Sequence, residues 1–106
     1  MRKATIPKTL PPVHPGEVLR EEFMTPLGIS INALARDLHV PPNRISKIVN
    51  ERRGITADTA MRLARYFGSS PEFWINLQSR YELLQARSKE RVIEREVHPR
   101  QLAKAS

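Results

Sequence analysis

Between residue 15 and about residue 89, five short segments carry apolar residues at helical spacing, and helix-stopping residues separate them. Gly28 follows the first segment, Pro41 lies between the second and the third, and Gly68 follows the fourth. No segment alternates apolar and polar residues with a period of two, so we expect no strand in the core. The pattern therefore predicts an all-α fold, a compact bundle of five helices.

Capping residues and proline place the predicted helix ends. Pro15, Pro42 and Pro71 suit first helical positions, because proline has no backbone donor to lose there. The predicted N-caps are His14, Ser30, Thr56 and Ser70. The predicted helices cover 15 to about 24, 31–38, 42–50, 57–67 and 71 to at most 89. Their predicted inward-facing residues are Val18, Leu19, Phe23, Leu34, Ala35, Leu38, Ile45, Ile48, Val49, Ala60, Leu63, Ala64, Phe67, Phe73, Trp74 and Leu77.

The two ends of the chain differ from this middle part. Prolines at 7, 11 and 12 predict an extended or flexible arm over residues 1–13, which could include a short strand. Residues 14–90 form the predicted domain, and 91–106 are predicted to continue a helix briefly and then form a basic C-terminal tail. We expect neither a secretory signal nor a membrane span, because no long apolar stretch is present. With no cysteine in the chain, we expect a cytoplasmic protein.

The charge of the chain suggests a polyanionic partner. The formal net charge is +7, which favours nucleic acid, although a soluble protein can also simply be basic. Residues 36–65 contain seven basic and three acidic side chains, a net charge of +4. The first predicted helix instead carries Glu17, Glu21 and Glu22 against Arg20. This asymmetry indicates that a single face of the molecule would meet DNA.

The second and third segments have the organisation of a helix-turn-helix. A sharp turn around His39 joins them, and Ala35 supplies a small residue where the two helices would cross. In the third segment Asn43, Ser46, Lys47 and Asn50 recur at i, i+3, i+4 and i+7, opposite the apolar residues. Asparagine can pair with adenine and lysine with guanine in the major groove, so we predict that this stripe reads bases. A plain solvated face remains the alternative for each of these side chains.

Residues beside this stripe are candidates for phosphate contacts. Arg36 precedes the predicted recognition helix, and Arg52 and Arg53 follow it. Such contacts set affinity and register rather than sequence preference. The amides at the helix start near Ser30 could also hold a phosphate. Arg44 flanks the stripe and could contact either a base edge or a phosphate.

The last predicted helix allows two interpretations. Trp74, Leu77, Tyr81 and Leu84 form an apolar seam that could simply cover the core. Alternatively, the outer turns with Tyr81 and Leu84 could contact a second subunit. A two-fold dimer would place two recognition helices about 34 Å apart, one turn of DNA.

Catalysis and metal binding receive little support from the sequence. His14, His39 and His98 are far apart and lack carboxylates at metal-ligand spacing. The glutamates of the first helix have no convergent nucleophile, and a glycine-rich phosphate loop is missing. We therefore expect no metal, no cofactor and no enzymatic activity.

Five stretches of the chain resemble the HigA family of antitoxins, a branch of the lambda-repressor-like, Xre-type helix-turn-helix proteins. They are HPGEVLREEF (14–23), PLGIS (26–30), RGITADTA (53–60), LARYFG (63–68) and SPEFWINLQ (70–78). The resemblance implies a five-helix fold and a homodimer that binds a two-fold symmetric operator. It also implies a HigB-like toxin partner, similar to RelE-type mRNA endonucleases, which the antitoxin neutralises while repressing their shared operon.

The resemblance places DNA contacts at the start of the third helix, on Pro42, Asn43, Arg44, Ser46 and Lys47. Two positions depart from the pattern of the wider superfamily. Ile31 stands where glutamine is common and cannot donate a side-chain hydrogen bond. His39 stands where the turn often has glycine, and a positive φ there costs histidine about 1–2 kcal/mol. Two other functions stay open: a helix-turn-helix regulator without a toxin, and a module that masks a basic partner protein without using DNA.

Overall fold

The computed structural model describes residues 12–101, and every regular element in that part of the chain is helical. The helices are α1 Pro15–Val18, α2 Thr25–Leu27, α3 Ile31–Leu38, α4 Pro42–Val49, α5 Ala57–Phe67, α6 Pro71–Ala86 and α7 Glu90–Glu96. A π-helical stretch, Leu19–Met24, joins α1 to α2, and a 3₁₀ turn, Arg87–Lys89, joins α6 to α7. Counting α1, the π-helical stretch and α2 as one interrupted helix, the predicted five helices are α1–α2, α3, α4, α5 and α6. The all-α prediction is confirmed.

The first helix is longer than its sequence pattern predicted. We expected it to end near Met24, but it continues to Leu27 and stops at Gly28, which has a φ of 66°. Pro26 lies shortly after the π-helical stretch and has no N–H to donate to the preceding turn. Just before it, the Thr25 N–H donates to the carbonyl of Arg20, five residues back, so the widened π-helical turn carries the helix to the proline.

The predicted caps form as local hydrogen bonds. The Nδ1 atom of His14 accepts the Gly16 N–H at 2.8 Å, and the Ser30 hydroxyl accepts the Ala33 N–H at 3.1 Å. Thr56 and Ser70 cap α5 and α6 in the same way. Each hydroxyl or imidazole thus satisfies one of the free amides at a helix start.

The core lies where α1 crosses α4 and where α5 packs between α3 and α6. Leu19, Leu34, Ile45, Ile48, Leu63 and Trp74 are its large, fully buried side chains. The Nε1 of Trp74 donates to the Ser69 hydroxyl at 3.0 Å, so the buried indole leaves no polar atom unpaired. Phe73, which was predicted to face inward, is instead 39% exposed, and its ring packs edge-on against the buried Trp74.

Gly16 lets α1 and α4 approach backbone to backbone. A Cβ atom at this position would lie 1.7 Å from the carbonyl oxygen of Ile48, which is far inside contact distance. The close approach sets the position of α4 relative to the rest of the bundle. It therefore bears directly on how the predicted recognition helix is presented.

The ends of the chain continue beyond this core. Pro12 and Val13 have no regular structure, and residues 1–11 of the predicted N-terminal arm lie outside the described residues, so the possible short strand there stays a prediction. The stretch predicted as a tail from residue 91 begins inside α7, whose residues are all exposed. No helix within residues 12–101 is long and apolar enough to cross a membrane.

Candidate nucleic-acid interface

The turn between α3 and α4 has the geometry of a helix-turn-helix. His39 adopts the left-handed conformation, with φ 60° and ψ 47°, and its N–H donates to the carbonyl of Arg36 at 3.2 Å. The Val40 N–H then donates to Ala35 at 3.0 Å, and Pro41 starts α4 from an extended conformation. The positive φ expected at His39 is therefore confirmed, and Ala35 is buried against the neighbouring helix.

The predicted base-reading residues of α4 differ in whether their side chains are free or bonded within the helix. Asn43 and Lys47 are exposed, and they point away from the buried stripe of Ile45 and Ile48. The side-chain amide of Asn50 instead donates to the carbonyl of Ser46 at 2.9 Å and caps the end of its own helix. Asn43 and Lys47 thus have the chemistry and the exposure to meet a base edge.

Arg44 lies on the side of α4 that faces α5. Its Nη1 donates to Asp58 Oδ2 at 2.8 Å, and the side chain is 25% exposed. Arg62 donates to the same oxygen at 2.9 Å. Hydrogen bonds from Arg62 and Arg44 lower the pKa of the Asp58 carboxyl, so it carries its negative charge at neutral pH.

A shallow groove separates the starts of α3 and α4. It is lined by Ser30, Ile31, Asn32, Pro42, Asn43 and Ser46. A helix start can hold an anion through its free backbone amides. At the start of α4, however, Pro42 has no N–H and the Arg44 N–H donates to the carbonyl of Pro41 at 2.9 Å, so the free amides lie chiefly at the start of α3. The Ser30 hydroxyl caps its own helix, and Ile31 contributes only a half-buried aliphatic side chain. Any anion in this groove would therefore be held chiefly by backbone amides and Asn43.

The loop after α4 carries Arg52 and Arg53, beside the predicted recognition helix. Glu51 takes a positive φ of 62°, and the Arg52 N–H closes the helix on the carbonyl of Lys47 at 2.8 Å. Arg52 is exposed and Arg53 is half-buried. Ser30 and the Arg52–Arg53 loop thus lie at the two ends of the α3–α4 unit, and Arg36 lies in the last turn of α3.

Two residues that the sequence pattern did not single out hold this unit in place. Arg20, on the first helix, donates to the carbonyl of Val49 at the end of α4. Its Nη2 atom also lies 3.7 Å from Oε2 of Glu51. Gln78 of α6 accepts the Ile55 N–H at 2.8 Å. These contacts span 29 and 23 residues, and no local spacing signals them. The Asp58–Arg62 pair is different, because its i,i+4 spacing could have been read from the sequence.

The two residues predicted at a dimer contact lie on the outer half of α6. Tyr81 is half-buried and meets the ring of His14 edge-on, with centroids 4.7 Å apart. Leu84 is half-buried, and the neighbouring Leu83 is 56% exposed. Apolar side chains at 83, 92, 93 and 97 continue along this end of the molecule, so part of its surface is apolar and faces solvent.

Comparison with known proteins places this architecture in a family. The helix-turn-helix family profile matches residues 19–74. Virulence-associated protein I of Dichelobacter nodosus is 57% identical over 77 residues, which cover 73% of this chain and 71% of that protein. Antitoxin HigA-1 of Vibrio cholerae is 40% identical over 78 residues, or 74% of this chain and 73% of that protein.

A solved structure agrees with the sequence relatives. The Pseudomonas aeruginosa antitoxin HigA, determined with the higBA promoter, superimposes with a TM-score of 0.80 and 48% identity. The match covers 85% of this chain and 99% of that one. The residues that cap, turn and pack α3 against α4 lie within the matched region. The chain therefore belongs to the helix-turn-helix family of DNA-binding regulators, in the branch that contains the HigA antitoxins.

Proposed function

We propose that this protein is a sequence-specific DNA-binding repressor that also acts as the antitoxin of a toxin–antitoxin pair. It binds the promoter of its own operon and neutralises a HigB-like mRNA-endonuclease toxin. The observation that carries the DNA-binding role is the α3–α4 unit, which exposes Asn43 and Lys47 beside a groove formed by two helix N-termini. The toxin partner rests on the likeness to HigA antitoxins. The role is non-enzymatic and cytoplasmic.

The proposed division of labour follows from exposure and charge. Asn43 and Lys47 read base edges, with Pro42 shaping the contact at the start of α4 and Ser46 and Asn50 at its outer edge. Arg44 contacts DNA from the side of the helix. The phosphate contacts come from the α3 start at Ser30 and from Arg36, Arg52 and Arg53.

We propose that the DNA-binding form is a homodimer that uses the outer half of α6, with Tyr81 and Leu84 at the contact. The exposed apolar surface at Leu83 and along α7 supports this arrangement, because the chain's own core does not cover it. Replacing Leu84 with Glu should dissociate the dimer in sedimentation equilibrium while leaving the helical circular dichroism intact. Replacing Leu27 with Glu, at an exposed leucine of α2, is the matched control. A dimer that survives Leu84→Glu would contradict this interface.

The DNA-binding role is tested by titrating the full chain against its own upstream promoter and a scrambled duplex of equal length, at several salt concentrations. We expect promoter binding at least about 10³-fold tighter than scrambled binding, as specific binders show. For each tenfold increase in salt concentration, the logarithm of the binding constant should fall by about 0.9 for every phosphate that the protein neutralises. Equal and weak binding to both duplexes would overturn the repressor role and favour a protein-masking function.

The antitoxin role needs a separate experiment. Co-expression with the product of the adjacent gene should relieve the growth arrest that this product causes alone, and the two proteins should co-purify. Promoter-selective binding without such relief would indicate a regulator that has no toxin.

A further inference from the structure

Asp58 holds two arginines with a single carboxylate oxygen. Its Oδ2 accepts from Arg44 Nη1 of α4 at 2.8 Å and from Arg62 Nε of its own helix at 2.9 Å. Asp58 lies in the first turn of α5, where a negative charge also suits the helix dipole. The carboxylate therefore has a fixed place from which it can direct the Arg44 side chain.

Arg62 fixes Asp58 in turn. Besides its bond to Asp58, it donates through Nη1 to the carbonyl of Leu38 at 2.9 Å. Leu38 is the last residue of α3, so this series of hydrogen bonds begins at the end of α3. It passes through α5 and ends on Arg44, in the first turn of α4. Arg44 is thus oriented by groups on both neighbouring helices.

The pair with Asp58 leaves Arg44 able to bind a further acceptor. A guanidinium has five N–H donors, and Asp58 takes only one from Arg44. The pair is solvent-exposed, with side-chain exposures of 25% for Arg44 and 57% for Asp58. An exposed ion pair of this kind is weak, so it biases the conformation of the Arg44 side chain without fixing it.

We propose that Asp58 is a positioning residue that orients the Arg44 guanidinium for recognition of the operator. The inference rests on the proposed DNA-binding function and adds a specificity determinant to it. An oriented guanidinium loses less rotational freedom on binding, which favours the correct site. By partly neutralising the Arg44 charge, the carboxylate also weakens the attraction of Arg44 to any phosphate backbone, which penalises incorrect sites.

The test compares wild type with Asp58→Asn on operator and scrambled duplexes. Asparagine keeps the size and one acceptor oxygen but removes the charge. We expect the ratio of operator to scrambled affinity to fall about tenfold, within the coupling range of contacting residues. Glu72→Gln is the matched control, because Glu72 is also an exposed carboxylate in the first turn of a helix. It should leave the ratio unchanged.

A double-mutant cycle separates positioning from a structural effect. In an Arg44→Ala background, Asp58→Asn should no longer change the ratio. A ratio that Asp58→Asn leaves unchanged or raises would overturn the inference, and so would an equal loss in both backgrounds. A lower melting temperature with an unchanged ratio would assign Asp58 a purely structural role and also overturn it.

Two further measurements keep the outcomes distinct. If Asp58→Asn does not fold, Arg62→Gln replaces it, because that change removes the hydrogen bond that holds Asp58 in place without altering Asp58 or Arg44. It should lower the ratio in the same direction, and an unchanged ratio would overturn the inference. If the wild-type protein shows no preference for the operator, the proposed function and this inference are both overturned. If the wild type prefers the operator but Asp58→Asn leaves the affinity ratio unchanged, only the inference is overturned.

Discussion

The carboxamide oxygen of Gln78 accepts the backbone N–H of Ile55 at 2.8 Å, so α6 holds the end of the loop that follows α4. Gly54 makes the approach possible, since a Cβ atom there would lie 2.7 Å from the Gln78 amide. Gln78 also donates to Glu82 at 2.7 Å. The helix proposed to carry the dimer contact therefore also anchors the loop that carries Arg52 and Arg53.

Replacing Gln78 with Met should destabilise the fold by about 1–3 kcal/mol, because the part-buried Ile55 N–H loses its acceptor. Urea denaturation measures the free energy of unfolding. Gln78→Glu keeps an acceptor oxygen for the Ile55 N–H but places a second carboxylate beside Glu82, so it should recover only part of the loss. Gln85→Met removes an exposed glutamine from the same helix and should change little. Equal stability of the two methionine variants would contradict a role for this hydrogen bond.

Replacing His39 with Gly should stabilise the protein by about 1 kcal/mol, because glycine adopts the positive φ of 60° without strain. The imidazole is exposed, so little packing is lost. Thermal unfolding provides the measurement. His39→Ala is the control, since it removes the same ring but keeps the Cβ atom, and it should give no gain. A gain of equal size in the alanine variant would show that the ring, rather than the backbone, is unfavourable.

Acid should destabilise the protein through His14. Burial lowers the pKa of this imidazole below its ordinary value of 6.5, and the nearby Glu51 opposes the shift. The unfolded chain then binds a proton at a higher pH than the folded chain does. The stabilisation is therefore complete above pH 6.5 and declines as the pH falls below it. Protonation also removes the acceptor for the Gly16 N–H.

Melting temperatures between pH 7.5 and pH 5 test this dependence. His14→Asn keeps an N-cap acceptor but does not titrate, so its melting temperature should fall less with acid than that of wild type. His98→Asn, at an exposed position after α7, should retain the full wild-type dependence. Parallel pH profiles for wild type and His14→Asn would rule out His14 as the titrating group.

Lys47 and Arg53 should have different effects on DNA binding. Lys47→Ala should cost about 1–3 kcal/mol on the operator and relax the preference at one base position. Arg53→Ala should weaken operator and scrambled duplexes alike and reduce the salt slope by about one. Titrations at several salt concentrations report both effects. If Lys47→Ala alters neither affinity nor preference, α4 is not the recognition helix.

Local chemistry made much of the fold predictable from sequence. The caps at His14, Ser30 and Thr56 involve atoms two or three residues away, so the residue type and its position are enough to predict each cap. The first helix was predicted too short because the π-helical turn before Pro26 leaves no signal in the periodicity, whereas Phe73 was misjudged for another reason. Helical periodicity reports the direction of a side chain but not whether a neighbouring helix reaches far enough to cover it.

The sequence by itself determined the five helices, the turn at His39 and the polar stripe on α4, because these depend on contacts within about one helical turn. Only the tertiary structure decided which of the stripe's neighbours are free to meet DNA. Arg44 is drawn to Asp58, 14 residues away, and Arg20 reaches the carbonyl of Val49 across 29 residues. Those pairs exist because the close backbone approach at Gly16 and the packing of α5 and α6 bring distant segments within hydrogen-bond range.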